Sequence, residues 1–251
     1  MLPLSPEKED VFSIEEFLTG TPVFSVLDKE EISSLAALAQ IQRYERKKVI
    51  FARNDKAEWF YLISRGCVKL FNSTSFGEDV VIDVLEKGRF FGERALFNEG
   101  SHIHAAEAVD DMALVALPLS VIREHLEKNA GMALALLKAV ADQCQNAEME
   151  IEHRLLQNTS RHLGCFLLRL CGPDAKGKVA VRLPYDKNLL AARLGMKPET
   201  FSRTLARLRA EAGVQIKGSE GVIEDIDKLT GYSCSACSGD FPCRDMQETR
   251  K

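Results

Sequence analysis

Three sets of side chains in this 251-residue sequence have types and spacings that could do chemistry. The first is the run Lys197-Pro198-Glu199-Thr200-Phe201-Ser202-Arg203, continued to Arg207. Pro198 suits a first helical position, where a missing N–H costs nothing, and Phe201, Leu205 and Leu208 recur at the spacing of one buried helix face. That leaves Lys197, Glu199, Thr200, Ser202, Arg203 and Arg207 facing outward, groups of the kind that contact base edges and phosphates. The second set is Cys234, Cys237 and Cys243, in a Gly- and Ser-containing tail with little to pack. Thiolates so spaced suit a [4Fe–4S] cluster or Zn, with a fourth ligand from elsewhere; thiol redox switching, or no defined site, is compatible with the same pattern. The third is His102 and His104, which on a strand would point to one side and could offer a haem or metal ligand. Two such His also fit a polar strand edge at a loop.

The first set needs a scaffold, and the residues before it supply one. Asp186 can cap a helix whose apolar positions Leu189, Leu190 and Leu194 share a face, and Gly195 ends it. A helix, a tight Gly turn and a second helix carrying polar readers in its first two turns is a helix-turn-helix, whose DNA-binding versions lay the second helix in the major groove. An ordinary helical hairpin with a solvated face would share the spacing, so charge decides. Residues 159 to 230 carry 13 Lys plus Arg against 8 Asp plus Glu, on a chain whose net charge is −4. A basic segment on an acidic chain implies a polyanion partner for that segment alone.

The rest of the chain must be organised around this segment. Residues 11 to 42 show helical spacing, with Asp28 and Glu31 forming a capping-box pattern. From Lys48 to Leu117 the texture changes to short apolar runs (Val49 to Phe51, Trp59 to Ile63, Val68 to Phe71, Val80 to Leu85, Met112 to Leu117) separated by Gly66, Gly77, Gly88 and Gly100. That rhythm predicts an all-β sandwich or barrel of jelly-roll type. After Pro118 the pattern is helical again to about Gln157. In its long second helix Leu137, Val140, Cys144, Ala147, Ile151 and then Arg154 or Leu155 recur at alternating spacings of three and four, the seam of a two-stranded coiled coil; a helix packed on its own β domain is the other reading, and the narrow seam with polar flanks favours the dimer. The fold class is therefore α+β. It comprises a jelly-roll domain (15–118), a dimerisation helix region (119–157), a winged helix-turn-helix (158–230) and a Cys-containing tail (231–251).

Composition excludes other classes. The first ten residues lack the basic start and apolar run of a secretory signal, and no stretch approaches the roughly 18 uninterrupted apolar residues of a membrane span. Seven Cys, an odd number, fit reduced thiols in a cytoplasmic protein better than a disulfide framework.

This order of parts resembles the CRP/FNR family of bacterial transcription regulators over residues 15 to 230. Phe91-Gly92-Glu93-Arg94-Ala95-Leu96 is similar to the family's Phe-Gly-Glu-x-Ala-Leu signature. Glu199-x-x-Ser202-Arg203 matches the Glu-x-x-Ser-Arg recognition helix of the FNR branch, and Val222 to Ile226 is similar to the closing strand of the wing. The resemblance implies a non-enzymatic homodimer that binds double-stranded DNA, contacts RNA polymerase and reads a TTGA-like inverted repeat. Glu199, Ser202 and Arg203 would read bases, and Lys197, Thr200, Arg207 and Lys217 would contact phosphates.

It also places an effector pocket at Gly92, Glu93, Arg94, His102 and His104. Cyclic-nucleotide-binding relatives carry an Arg that neutralises the cyclic phosphate, a task for a permanent cation. Here the corresponding stretch, Asn98 to Ala106, has His instead, so cyclic AMP is not expected. The Pro198-to-Arg203 run also resembles the nitric-oxide-sensing branch, which points to haem as an alternative cofactor to the [4Fe–4S] cluster. Oxygen-sensing relatives with three C-terminal Cys complete their cluster with an Asp from the dimerisation-helix region, and the fourth-ligand role is open here to Asp142, Asp240, Asp245 or Cys144. A cupin-like metal enzyme would require more metal-binding His and carboxylates than His102 and His104 provide.

Overall fold

The computed structural model describes residues 13–234. The chain forms two compact units, one ending at Asp142 and the other beginning at Gln143, a boundary inside one continuous helix.

The first unit opens with α1 (Ile14–Thr19) and α2 (Lys29–Leu38). The capping box forms as expected: Asp28 Oδ1 accepts from Glu31 N at 2.9 Å, and Glu31 Oε2 accepts from Asp28 N at 3.1 Å. Helix stops there, however. Gln40–Tyr44 is strand β1, where helical spacing was read as far as residue 42. Its polar sequence has little strand character of its own; pairing along its whole length with the last strand of the roll decides its conformation.

Strands β2 (Val49–Phe51), β3 (Trp59–Arg65), β4 (Val68–Ser73), β5 (Asp79–Leu85), β6 (Phe90–Phe91), β7 (Ala105–Ala108) and β8 (Met112–Pro118) complete the roll. They form two four-stranded antiparallel sheets, β1-β8-β3-β6 and β2-β7-β4-β5. The uninterrupted apolar runs of β3 and β8 follow from burial on both faces. Tyr61, Ile63, Leu114 and Ala116 pack with Phe51, Val68, Leu85 and Phe91 in one core. Their alternates Phe60, Leu62, Val115 and Leu117 pack with Leu18, Phe24, Leu35, Ile122, Met132 and Leu136 of the helices. Truncating a fully buried side chain such as Leu62 to Ala costs about 2–5 kcal/mol.

Helix α3 (Leu119–Lys128) leads into α4 (Ala130–Leu156), which already includes Gly131. Met132 and Leu136 are buried in the helix-covered core and Val140 packs against it. Of the expected seam, Val140 is half-buried in this way, while Leu137, Cys144, Ala147 and Ile151 face solvent together with Leu134, Ala141 and Leu155.

In the second unit, α5 (Thr159–Cys171) is followed by β9 (Val179–Arg182), α6 (Lys187–Arg193), α7 (Pro198–Ala212), β10 (Val214–Lys217), β11 (Glu220–Ile223) and α8 (Ile226–Ser233). The wing is an antiparallel sheet in the order β10-β11-β9. Its closing strand ends at Ile223, not Ile226, because Asp225 caps α8 by accepting from Asp227 N and Lys228 N. Helix α8 packs on α5 so closely that a Cβ on Gly164 would collide with Ser233 Oγ. Cys234 follows as the C-cap of α8 and is buried, so the domain runs past residue 230. Cys237 and Cys243 lie outside the described residues.

Candidate nucleic-acid interface and effector pocket

The helix-turn-helix forms on the expected residues. Asp186 Oδ1 accepts from Asn188 N and Leu189 N, both at 3.0 Å, and starts α6. Gly195 makes the turn at φ +68°, in the left-handed region that Gly enters without a Cβ penalty. Lys197 is the N-cap of α7, with Pro198 in its first turn. Phe201, Thr204, Leu208 and Ala212 are buried, which turns the opposite face outward.

That face holds Glu199, Ser202, Arg203 and Arg207, all exposed, with Thr200 half-buried beside them and Lys197 exposed at the cap. Arg203 donates a long hydrogen bond to Thr200 Oγ1 at 3.5 Å, whereas Arg207 pairs with Glu211 one turn on, Nε to Oε1 2.9 Å. The Glu211 hydrogen bond raises the Arg207 pKa further above its ordinary value, so it is a fixed cation. Lys217 is exposed at the end of β10, with Gly218 making the tip of the wing.

The predicted effector residues converge as well, around a small pocket. Gly92, Glu93, Arg94, His102 and His104 line one cavity of about 30 Å³ with Phe51, Leu70 and Phe91, room for a water or two. His102 and His104 lie in the loop before β7 and not on a strand as expected. Backbone bonds hold the loop: His102 N donates to Asp55 O at 3.0 Å and His102 O accepts from Asn54 N at 2.8 Å. The imidazole then lies flat on Phe51, centroids 3.5 Å apart and planes 4° apart. Burial pushes the His102 pKa down to about 4, so the ring is neutral.

His104 Nδ1 faces Asn72 Oδ1 at 3.3 Å. Its Nε2 is buried without a hydrogen-bond partner among the described residues. Burial, with Arg94 and Arg53 nearby, lowers the His104 pKa. Glu93 is buried, which raises its pKa, and pairs with Arg94 Nε at 3.5 Å. Gly92, at φ +89°, is required here: a Cβ would stand 3.0 Å from Trp59 O and 3.3 Å from the Tyr61 ring.

One cluster was missed by sequence reasoning. Buried His153 near the end of α4 accepts at Nδ1 from Arg169 of α5 at 2.8 Å. Glu150 lies between Arg154, at 3.4 Å, and Arg193, at 3.7 Å. The seam spacing admitted either Arg154 or Leu155; Leu155 is 81% exposed, and Arg154 turns toward α6. Sequence offered only the i,i+4 pair Glu150 and Arg154 as a signal. Among the described residues no group of three or more His, Cys, Asp and Glu could hold a metal ion.

Comparison with known proteins agrees with this architecture. Residues 41–129 match the cyclic nucleotide-binding domain family, and residues 162–232 match the Crp-like helix-turn-helix domain family. A crystal structure of a Ruegeria pomeroyi protein, assigned as cyclic-nucleotide-binding, is 30% identical over 89% of this chain and 98% of that one, with a TM-score of 0.61. The cyclic AMP receptor protein of Thermus thermophilus is 28% identical over 82% of this chain and 93% of its own length. The global nitrogen regulator of a Nostoc species is 26% identical over 70% of this chain and 81% of its own. The chain belongs to the CRP/FNR family and is a DNA-binding transcription regulator. Its relatives are regulators and not enzymes. Among the described residues no helix is long and apolar enough to cross a membrane.

Proposed function

We propose that this regulator is a cytoplasmic homodimer of the FNR-like branch that reads a TTGA-like inverted repeat. The outward face of α7 carries the reading. Arg203 would fork onto guanine O6 and N7, Glu199 would accept from a cytosine amino group, and Ser202 would serve a neighbouring base edge. Lys197, Thr200, Arg207 and Lys217 would contact phosphates and supply affinity without sequence information. Dimerisation is supported by the solvent-facing stripe on α4, where Leu137 is 64% and Ile151 58% exposed at heptad spacing, a cost that a partner helix would remove. A twofold dimer presents two recognition helices about one DNA turn apart and so selects an inverted repeat.

For the signal, Cys234, Cys237 and Cys243 would respond to redox state, as thiols or as ligands of an iron–sulfur cluster; such a cluster would supply oxygen-labile metal–thiolate bonds. RNA polymerase is the downstream partner on this reading. The test is Ile151→Glu, which sets like charges across the seam. It should give monomers at micromolar concentration and lower affinity for an inverted repeat by tenfold or more, a loss of about 1.4 kcal/mol. A variant that stays dimeric would place the interface elsewhere. Anaerobic iron and sulfide reconstitution of wild type and Cys237→Ser, followed by operator titration with and without air, tests the tail. Equal binding throughout would move the signal to the β-roll.

A further inference from the structure

The last carbonyls of α6 stand at the turn of the helix-turn-helix, and their partners are instructive. Leu190 O accepts from Leu194 N, Ala192 O from Gly195 N and Ala191 O from Met196 N, all within the turn itself. The next carbonyl, Arg193 O, accepts from outside: Arg154 Nη2, on the last turn of α4, donates to it at 2.8 Å. A cation on the C-terminal carbonyl of a helix meets the negative end of its dipole and one of the acceptors the helix cannot satisfy. Glu150 completes the grip. Its two oxygens face Arg154 Nη2 at 3.4 Å and Arg193 Nη2 at 3.7 Å, and Glu150 and Arg193 side chains are only 24% and 22% exposed, so solvent screens the pair less than a surface one. Four residues after Arg193 comes Lys197, the N-cap of α7.

We propose that Arg154 and Glu150 are positioning residues that fix the direction of the recognition helix relative to the end of α4, and so set the half-site spacing that the regulator accepts. The inference rests on the dimeric, inverted-repeat reading above. A clamp on the turn restricts how α7 can swing, while none of the clamp atoms belongs to the base-reading face. If α4 carries the twofold axis, the separation of the two reading helices depends on this junction, which acts on α6 and the turn, alongside the His153–Arg169 bond from α4 to α5.

The experiment compares full-length wild type, Arg154→Met and Glu150→Gln by anisotropy titration against three DNA duplexes. These are an inverted repeat at its best spacing, the same repeat with one base pair inserted, and an isolated half-site. Wild type should prefer the best spacing over the insertion by about tenfold or more, and the variants by only about two- to threefold, with half-site affinity held within about twofold. Arg154→Lys, which keeps a donor, should recover part of the preference. Glu150→Gln combined with Arg193→Gln should lose no more than either alone, the mark of a shared interaction. Unchanged spacing preference in both variants overturns the inference and leaves the dimeric reading standing. An equal loss on half-site and repeat would also overturn it, by showing a DNA contact or a damaged fold. Wild type that binds a half-site as tightly as the repeat would remove the dimeric reading itself.

Discussion

Arg203 and His102 both sit in segments that could meet a ligand, yet their surroundings are opposite. Arg203 stands on the exposed face of a capped helix, with a long hydrogen bond to Thr200 one turn back. His102 is 5% exposed, stitched by its backbone to the 54–55 turn and flat against Phe51. The recognition face keeps its polar groups in water, where a nucleic acid can exchange places with solvent. In the β-roll pocket Glu93 pairs with Arg94, His104 Nδ1 faces Asn72 and the His102 ring lies on Phe51, so these side chains are held by protein neighbours. Substitutions in the pocket should therefore be felt in folding, and substitutions on α7 in binding.

The sharpest break in that comparison is expected from Gly92→Val. A β-branched residue would be forced into a left-handed conformation against Trp59 O, with both strain and overpacking, costing about 2–5 kcal/mol. Thermal melting should show a large drop; an unchanged midpoint would mean that the pocket wall yields.

Acid should come next. The pKa values of His102 and of His162, buried in α5, are both lowered by burial to about 4 from an ordinary 6.5. With the folded pKa below the unfolded one, the unfolded chain binds more protons between those limits. Stability is thus full above about pH 6.5 and falls as pH drops toward 4. Buried Glu93, whose pKa is raised, works the other way and recovers stability on acidification. The net loss should be a few kcal/mol, on the order of one pKa unit per 1.4 kcal/mol. Urea midpoints measured from pH 7 to pH 4 check it, and His102→Gln should flatten the slope.

On the recognition face the expected effects are smaller and leave the fold alone. Arg203→Ala should cost about 1–3 kcal/mol per half-site and abolish preference at one base pair, with melting shifted by less than about 0.5 kcal/mol equivalent. Competition titrations over the four bases at that position would show it. Lys217→Ala should weaken every sequence alike by under about 1 kcal/mol and reduce the salt slope by about one. A change in base preference for Lys217→Ala would undo the division between readers and phosphate contacts.

How much of this was legible in the residues depends on the range of the forces. The Asp28 capping box, the Asp186 cap, the Gly195 turn and the Pro198 start were readable because each is closed by atoms within a few positions along the chain. The same holds for the outward face of α7, since helical periodicity assigns faces without reference to anything distant. Strands β3 and β8 were legible because two-sided burial demands unbroken apolar runs. Strand β1 was not, because its partner lies some 70 residues away in Met112–Pro118, and its own side chains are mostly polar.

By itself, then, the sequence determined the order of elements, the reading face and its charge, which depend on local hydrogen bonds and on which residues avoid water. Only the tertiary structure decided the rest. Val140 packs partly against its own core because the β-roll and its helices were there to receive it, and Arg154 turned to the carbonyl at the end of α6. The His102 ring fills its own pocket because the 54–55 turn and Phe51 meet it from about 50 positions earlier in the chain. Side-chain burial and the choice of partner for a charged group are properties of assembled surfaces, and no spacing within one segment encodes which surface will arrive.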